Sequence, residues 1–374
     1  MGGRVRREPG GGGHRRAGGG WGGSCAAERS AGGPAQAGTL RSHLDTVGVQ
    51  GGADGSTAAR PWHSGAMTPA APDLTTPLPL DGGLATELER AGLDLSGGLW
   101  SARVLAERPE AVARAHLAFY LAGARVATTA TYQASFPGLA ACGVDRRDAE
   151  GVLRRGVAVA RDAADRAVGR GVPPGLLVAA SVGPYGAYLA DGSEYRGRYG
   201  VSRASLREFH RPRLAVLAEA GADLLACETV PDVEEAEVLL DELAALGGPP
   251  AWLSYTVRDG RTSAGQDLHE AFALVRERPE VLAVGVNCVS PVGLAEVVRL
   301  AASASGKPVV AYPNSGEEWD AGSASWRGPA VFDAGEVRSW VAAGARLVGG
   351  CCRVGPAGVA KVAAALAGPA GHRP

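Results

Sequence analysis

Cys351 and Cys352 stand side by side at the end of an apolar run, Arg346-Leu347-Val348-Gly349-Gly350, and Cys288 ends another, Val281-Leu282-Ala283-Val284-Gly285-Val286-Asn287. Three thiolates can hold a zinc ion and leave its fourth tetrahedral position open, which separates a catalytic zinc from a structural one. A thiolate-rich zinc suits one task in particular, binding a substrate thiol and keeping it deprotonated at neutral pH. A lone cysteine at a strand end is more often a small buried hydrophobe, and the spacing here is not one of the CxxC zinc patterns. The adjacent pair resists that reading. Neighbours in a strand point to opposite faces, so both can meet one metal only where the chain has left the strand. Gly349-Gly350 before the pair and Gly355-Pro356 after it supply that turn. On spacing alone, metal and packing stand level, and the elements that carry the cysteines tip the balance.

The chain has 374 residues, 45% of them hydrophobic, and a formal net charge of −1. That length supports one large core or two smaller ones. Near-neutral charge argues against nucleic acid or an acidic membrane surface as a partner, and no apolar stretch reaches the length of a membrane span. Six cysteines in so long a chain do not resemble a disulfide framework, so a reducing, cytoplasmic setting is expected. Residues 1–66 read as a disordered Gly/Arg-rich extension, without hydrophobic periodicity or the apolar core of a signal peptide. Met67 stands just before the first patterned segment. Either translation starts there and 1–66 is a gene-model extension, or the arm is genuine; the structural domain is expected over 67–374.

Eight short apolar runs follow: 79–83, 125–132, 176–183, 223–229, 251–257, 281–288, 308–314 and 346–352. Their near-continuous hydrophobicity is that of parallel strands buried on both faces. Between them lie stretches with helical spacing (111–122, 149–168, 205–220, 233–246, 268–275, 292–304, 334–343, 357–367), several closing on a Gly-Ala step such as Gly123-Ala124, Gly221-Ala222 and Gly344-Ala345. Eight strand–helix units predict a (β/α)8 TIM-type barrel. A doubly wound open sheet is the alternative, disfavoured because no Gly-x-Gly-x-x-Gly turn follows the first strand.

Barrel active sites lie at the carboxyl ends of the strands. Here those ends carry Asp81, Thr131-Tyr132-Gln133, Ser181 with Tyr185, Glu228, Ser254, Asn287-Cys288, Tyr312 to Glu317, and Cys351-Cys352. Any one of these could be an ordinary loop residue. Chemistry collecting at every end is much harder to obtain by accident. Cys288 and the Cys351-Cys352 pair lie two strands apart and can converge, while carboxylates and an Asn nearby can hold the charged groups of an amino acid. Cys142 and Cys227 read as packing residues, and Cys25 falls in the arm.

The segments Asp81-Gly82-Gly83-Leu84-Ala85-Thr86-Glu87-Leu88, Thr131-Tyr132-Gln133-Ala134, Ser181-Val182-Gly183-Pro184-Tyr185-Gly186-Ala187-Tyr188, Gly285-Val286-Asn287-Cys288, Tyr312-Pro313-Asn314-Ser315-Gly316-Glu317 and Gly349-Gly350-Cys351-Cys352-Arg353 resemble the homocysteine S-methyltransferase family. The resemblance runs from about Leu78 to Ala367 and is nearest the branch that uses S-methylmethionine or S-adenosylmethionine. It implies a barrel with Cys288, Cys351 and Cys352 as zinc ligands, and Asp81 and Glu228 on the homocysteine amino group with Asn287 beside them. Val289-Ser290 and Val354-Gly355 depart from the family pattern without touching a ligand. Tyr132, Gln133 and Tyr185 are candidates for lining the donor pocket, since Tyr faces attract cations. The expected reaction is zinc-dependent methyl transfer from a sulfonium to L-homocysteine, giving methionine. Two other classes remain open on the residues alone: a hydrolase or lyase using Asp81 and Glu228 as acid and base, and a thiol-binding or zinc-storage protein without turnover.

Overall fold

Eight short parallel strands carry the fold: β1 Leu78–Pro79, β2 Val126–Thr128, β3 Leu177–Val182, β4 Leu224–Val230, β5 Ala251–Tyr255, β6 Val281–Asn287, β7 Val309–Tyr312 and β8 Ala345–Val348. In the computed structural model, which describes residues 71–95, 99–320 and 325–367, each strand from β2 onward pairs with the next, and β8 pairs with β1. The ring closes between β1 and β2 through the parallel bridge Leu80–Val126. There the Asp81 N–H donates to the Val126 carbonyl at 3.0 Å and the Arg125 N–H to the Pro79 carbonyl at 2.7 Å. An open doubly wound sheet would leave two unpaired edges, so the structure is the (β/α)8 barrel that the eight-fold repeat predicts. The 1–66 segment and Cys25 lie outside the described residues. Among those described, no helix is long and apolar enough to cross a membrane.

Strand alternation sorts the side chains. Val126, Ala179, Ala226, Trp252, Val310 and Leu347 point inward and pack into a plug that fills the barrel. Residues between them face the helices and join the larger core around the barrel. That double burial is why the strands read as unbroken apolar runs. Helix starts are fixed by side-chain caps: Asp145, Ser202, Asp232 and Asp267 accept from the N–H groups of Asp148, Ser205, Glu234 and Glu270. Gly123, Gly221 and Gly344 take φ of 107°, 87° and 124°, the left-handed side expected of helix stops.

Departures from the sequence expectation fall at element ends. The first strand is predicted over 79–83, but the chain leaves the ladder after the Asp81 N–H, because the Asp81 carbonyl and the Gly83 N–H bond to the loop after β8: Gly350 N–H to Asp81 carbonyl, 3.1 Å, and Gly83 N–H to Val354 carbonyl, 2.9 Å. The second strand stops at Thr128 rather than Tyr132. Beyond it the Thr129 and Thr131 hydroxyls lie 2.7 Å apart, Thr131 donates to the Ser181 carbonyl at 2.7 Å and Thr129 accepts from its N–H at 3.0 Å, which draws the chain into a turn. Short helices at Leu84–Arg90, Trp100–Glu107, Phe136–Ala141 and Tyr185–Leu189 carry too few turns to show in the sequence pattern.

Candidate active site

The mouth of the barrel is built by counting in twos. Two residues beyond the plug members Val126, Ala179, Ala226, Trp252 and Val310 come Thr128, Ser181, Glu228, Ser254 and Tyr312. The pleat that buries the plug therefore aims this polar ring at the strand ends. Ring members bond to one another. The Ser181 hydroxyl donates to Glu228 Oε1 in a very short contact, and the Tyr312 hydroxyl donates to Glu228 Oε2 at 3.0 Å. Tyr312 in turn accepts from Trp252 Nε1 at 3.1 Å and lies 2.8 Å from Ser254 Oγ. Asp81 is held by Thr128, through its N–H at 2.7 Å and its hydroxyl at 3.1 Å.

Both carboxyls are buried, at 4% exposure for Asp81 and 8% for Glu228. Burial in this low-dielectric mouth pushes Glu228 up to about 7 and Asp81 up to about 8, the charge of Glu228 adding to the rise at Asp81. Neither faces a basic side chain in these contacts. Two desolvated carboxyls without a cation form a receptor for one, and a primary ammonium is the chemistry that fits.

The cysteines converge as the strand count predicts. Cys288 Sγ lies 2.8 Å from Cys351 Sγ and 3.7 Å from Cys352 Sγ, and the adjacent pair is 4.0 Å apart. All are half-buried. Zn–S bonds of about 2.3 Å in a tetrahedron put sulfurs about 3.8 Å apart. Two of the separations meet that spacing, and the Cys288–Cys351 pair has to open by about 1 Å. Three sulfurs facing one point, with no fourth protein ligand among them, fit a metal that keeps a position for substrate. Cys142 packs against the core and Cys227 is buried on β4, as expected of packing residues.

Asn287 stands at the end of β6 and is almost fully buried. Its Oδ1 accepts from the Thr229 N–H at 2.7 Å and the Ser254 hydroxyl at 2.8 Å, and its Nδ2 donates to Thr229 Oγ1 at 2.7 Å. One N–H of the amide is left. Thr229 has φ +60°, strained for a β-branched residue, and the β4–β5 register shifts between Cys227 and Val230. The irregularity ends the strand just beyond Glu228. Cys288, in the sulfur cluster, and Arg353, next to Cys352, also take left-handed φ, of 52° and 67°.

Tyr132 packs its ring over Gly183, where an added Cβ would lie 2.7 Å from it. Burial holds its hydroxyl in the protonated form, with Glu194 adding to the rise. Gln133 Nε2 reaches the Ala187 carbonyl at 3.5 Å, while its Oε1 is buried with no donor. Tyr185 instead joins Tyr188, Tyr199 and Phe209 in an aromatic cluster, with ring centroids 5.0–5.5 Å away. The structure adds a residue that the sequence did not single out: the Tyr195 hydroxyl donates to Cys288 Sγ at 3.7 Å. Tyr195 comes from a turn, Ser193–Tyr195, inside a long connection after β3, so counting strand ends could not find it.

The family model for homocysteine S-methyltransferase matches residues 78–366. The homocysteine S-methyltransferase of Escherichia coli K12 is 46% identical over 290 residues, spanning 76% of this chain and 94% of its own length. Homocysteine S-methyltransferase 4 of Zea mays is 45% identical, spanning 77% and 88%. Among solved structures, the metallated form of the homocysteine methyltransferase MmuM from E. coli aligns with a TM-score of 0.71 at 43% identity, covering 78% of this chain and 96% of that one.

Proposed function

The chain belongs to the homocysteine S-methyltransferase family, and we propose that its methyl donor is a sulfonium, S-methylmethionine or S-adenosylmethionine, that its metal is zinc, and that its product is methionine. The observation that carries this reading is the meeting of three cysteine sulfurs with two buried, cation-free carboxyls at one barrel mouth. That the 43% identical MmuM has a metallated form supports a bound metal. Cys288, Cys351 and Cys352 would hold the zinc, which when bound supplies a Lewis acid that keeps a coordinated thiol deprotonated near pH 7.

The protein's own residues do the rest. Asp81 and Glu228 take the homocysteine ammonium and give up the protons that burial favours on them as they do so. Thr128, Ser181 and Tyr312 hold the two carboxyls in place, so the amino acid arrives with its sulfur turned toward the cysteines. Tyr132 lines the approach of the donor and offers its ring face to a cation. In the transfer, a lone pair on the homocysteine sulfur forms the new S–CH3 bond. The donor's S–CH3 bond breaks with its electron pair returning to the donor sulfur, which leaves as a neutral thioether. The thiol proton goes to solvent before attack. Charge is neutralised as the methyl moves, so a water-poor mouth favours the step.

The direct test incubates the purified protein with homocysteine and each sulfonium in separate reactions, follows methionine by mass spectrometry, and measures zinc in the same preparation. Methionine from neither donor would refute the donor class; full activity without zinc would refute the metal.

A further inference from the structure

We propose that Glu194 and Gln133 form a second ammonium site, one that receives the α-amino group of the methyl donor; this rests on the sulfonium reading above. Gln133 Oε1 and Glu194 Oε2 are buried acceptor oxygens with no donor among the described residues. Asp81 and Glu228, by contrast, have hydroxyl or N–H donors on both oxygens. The two orphan oxygens are tied to one turn of chain. Gln133 anchors its amide nitrogen on the Ala187 carbonyl at 3.5 Å. One residue earlier, Gly186 lets the Ser193-Glu194 backbone press in so closely that a Cβ there would lie 2.3 Å from the Glu194 nitrogen. Glu194 is next to Tyr195, whose hydroxyl meets Cys288 at 3.7 Å, and Gln133 follows Tyr132 at the end of the β2 loop. The turn that carries Glu194 therefore reaches the sulfur cluster through its next residue.

The chemistry of the missing partner follows from what is unsatisfied. A carboxylate oxygen and an amide oxygen together want a positive group with more than one N–H. A sulfonium centre has no N–H and satisfies neither. A primary ammonium satisfies both. Burial pushes Glu194 up to about 7, so the empty site is partly neutral near that pH and ionises as the cation arrives. The acceptor's ammonium already has Asp81 and Glu228. The donors under consideration are amino acids too, and their ammonium is the group left to place. Two separate ammonium stations at the mouth would hold the two amino acids at once.

Glu194→Gln tests this with two donors: S-methyl-L-methionine and 4-(dimethylsulfonio)butanoate, which lacks only the amino group. The variant should raise KM for S-methylmethionine at least tenfold and leave KM for homocysteine and for the deamino donor within about twofold. Calorimetric titration of S-methylmethionine should show the same loss. No partner is removed, so the thermal midpoint should not fall. Gln133→Leu should weaken S-methylmethionine in the same selective way. Equal weakening of both donors, weakening of homocysteine instead, or a lowered midpoint in Glu194→Gln would each overturn the assignment. Wild-type protein that turns over neither sulfonium would overturn the donor class itself, a result distinct from wild-type turnover with an unaffected Glu194→Gln.

Discussion

Asn287 and Thr229 exchange hydrogen bonds across the ends of β6 and β4: the Thr229 N–H donates to Asn287 Oδ1 and Asn287 Nδ2 donates to Thr229 Oγ1, each at 2.7 Å. The exchange braces Thr229 at φ +60°, in the irregular end of β4 that also carries Glu228. On the proposed reading, Asn287 would act on substrate through its neighbour.

Asn287→Ala should therefore cost twice. Leaving the Thr229 N–H buried and unpaired should lower stability by about 1–3 kcal/mol in urea titrations. Released from its strained conformation, Thr229 should let Glu228 drift, lowering kcat/KM for homocysteine by about tenfold. Metal content should stay at the wild-type level. Loss of metal with intact homocysteine use would assign Asn287 to the cysteine site.

Each of Cys288→Ser, Cys351→Ser and Cys352→Ser should lose most of its zinc, against about one ion per chain in the wild type, because the site has no spare protein ligand. Elemental analysis after dialysis reads this directly. Affinity should fall as pH drops below neutral, since protons compete for thiolates. Three variants with full metal would exclude the cluster.

Glu228→Gln keeps the shape of the side chain and removes its charge. A charge-assisted hydrogen bond contributes roughly 1.5–3 kcal/mol, so homocysteine use should weaken by about one to two orders of magnitude. Zinc should be retained. A simple thiol without an amino group should react equally poorly with both forms; if the variant slowed it as much as homocysteine, Glu228 would be orienting the metal site instead.

The carboxyl pair also sets a pH dependence. Burial raises Glu228 to about 7 and Asp81 to about 8, so below those values the empty mouth carries protons. An ammonium ligand displaces them, and proton release makes binding tighter as pH rises. L-Methionine, which has no thiol to titrate, should bind about tenfold more tightly at pH 8 than at pH 6 by calorimetry. An affinity that was flat or falling over this range would mean that the carboxyls do not meet the ammonium.

Every barrel strand, the β1–β2 closure and the cysteine cluster lie between Leu78 and Cys352. A protein begun at Met67 should accordingly melt at the same temperature as the full chain and show the same kcat/KM. A drop in either would give residues 1–66 a structural or kinetic part.

Much of the site could be read from the chain because the barrel is periodic. Once the eight runs are placed, strand ends deliver Asp81, Glu228, Asn287 and the cysteines, and alternation sends Ser181 and Tyr312 to the same ring. What stayed hidden is what periodicity does not carry. Tyr195 reaches Cys288 from a three-residue turn in a long connection, a placement only tertiary packing decides. The role of Asn287 depends on which of its atoms are already occupied, which composition cannot say. Tyr185, in a motif that looked like a pocket wall, was claimed by the ring cluster of Tyr188, Tyr199 and Phe209, because neighbouring aromatic surface competes with the mouth for its ring.

The Gly350 N–H that donates to the Asp81 carbonyl at 3.1 Å joins the loop bearing the cysteine pair to the main chain of the carboxylate. On the reading above, that one peptide contact sets a gauge of length. An acceptor must touch sulfur-binding and ammonium-binding groups together, and this bond ties the backbones that carry them. Homocysteine has two methylenes between Cα and sulfur and cysteine has one, so a barrel that ties the two anchors together selects by reach. Cysteine should be the poorer acceptor with no clash and no group dedicated to sensing it, which a comparison of kcat/KM for the two amino acids reads directly.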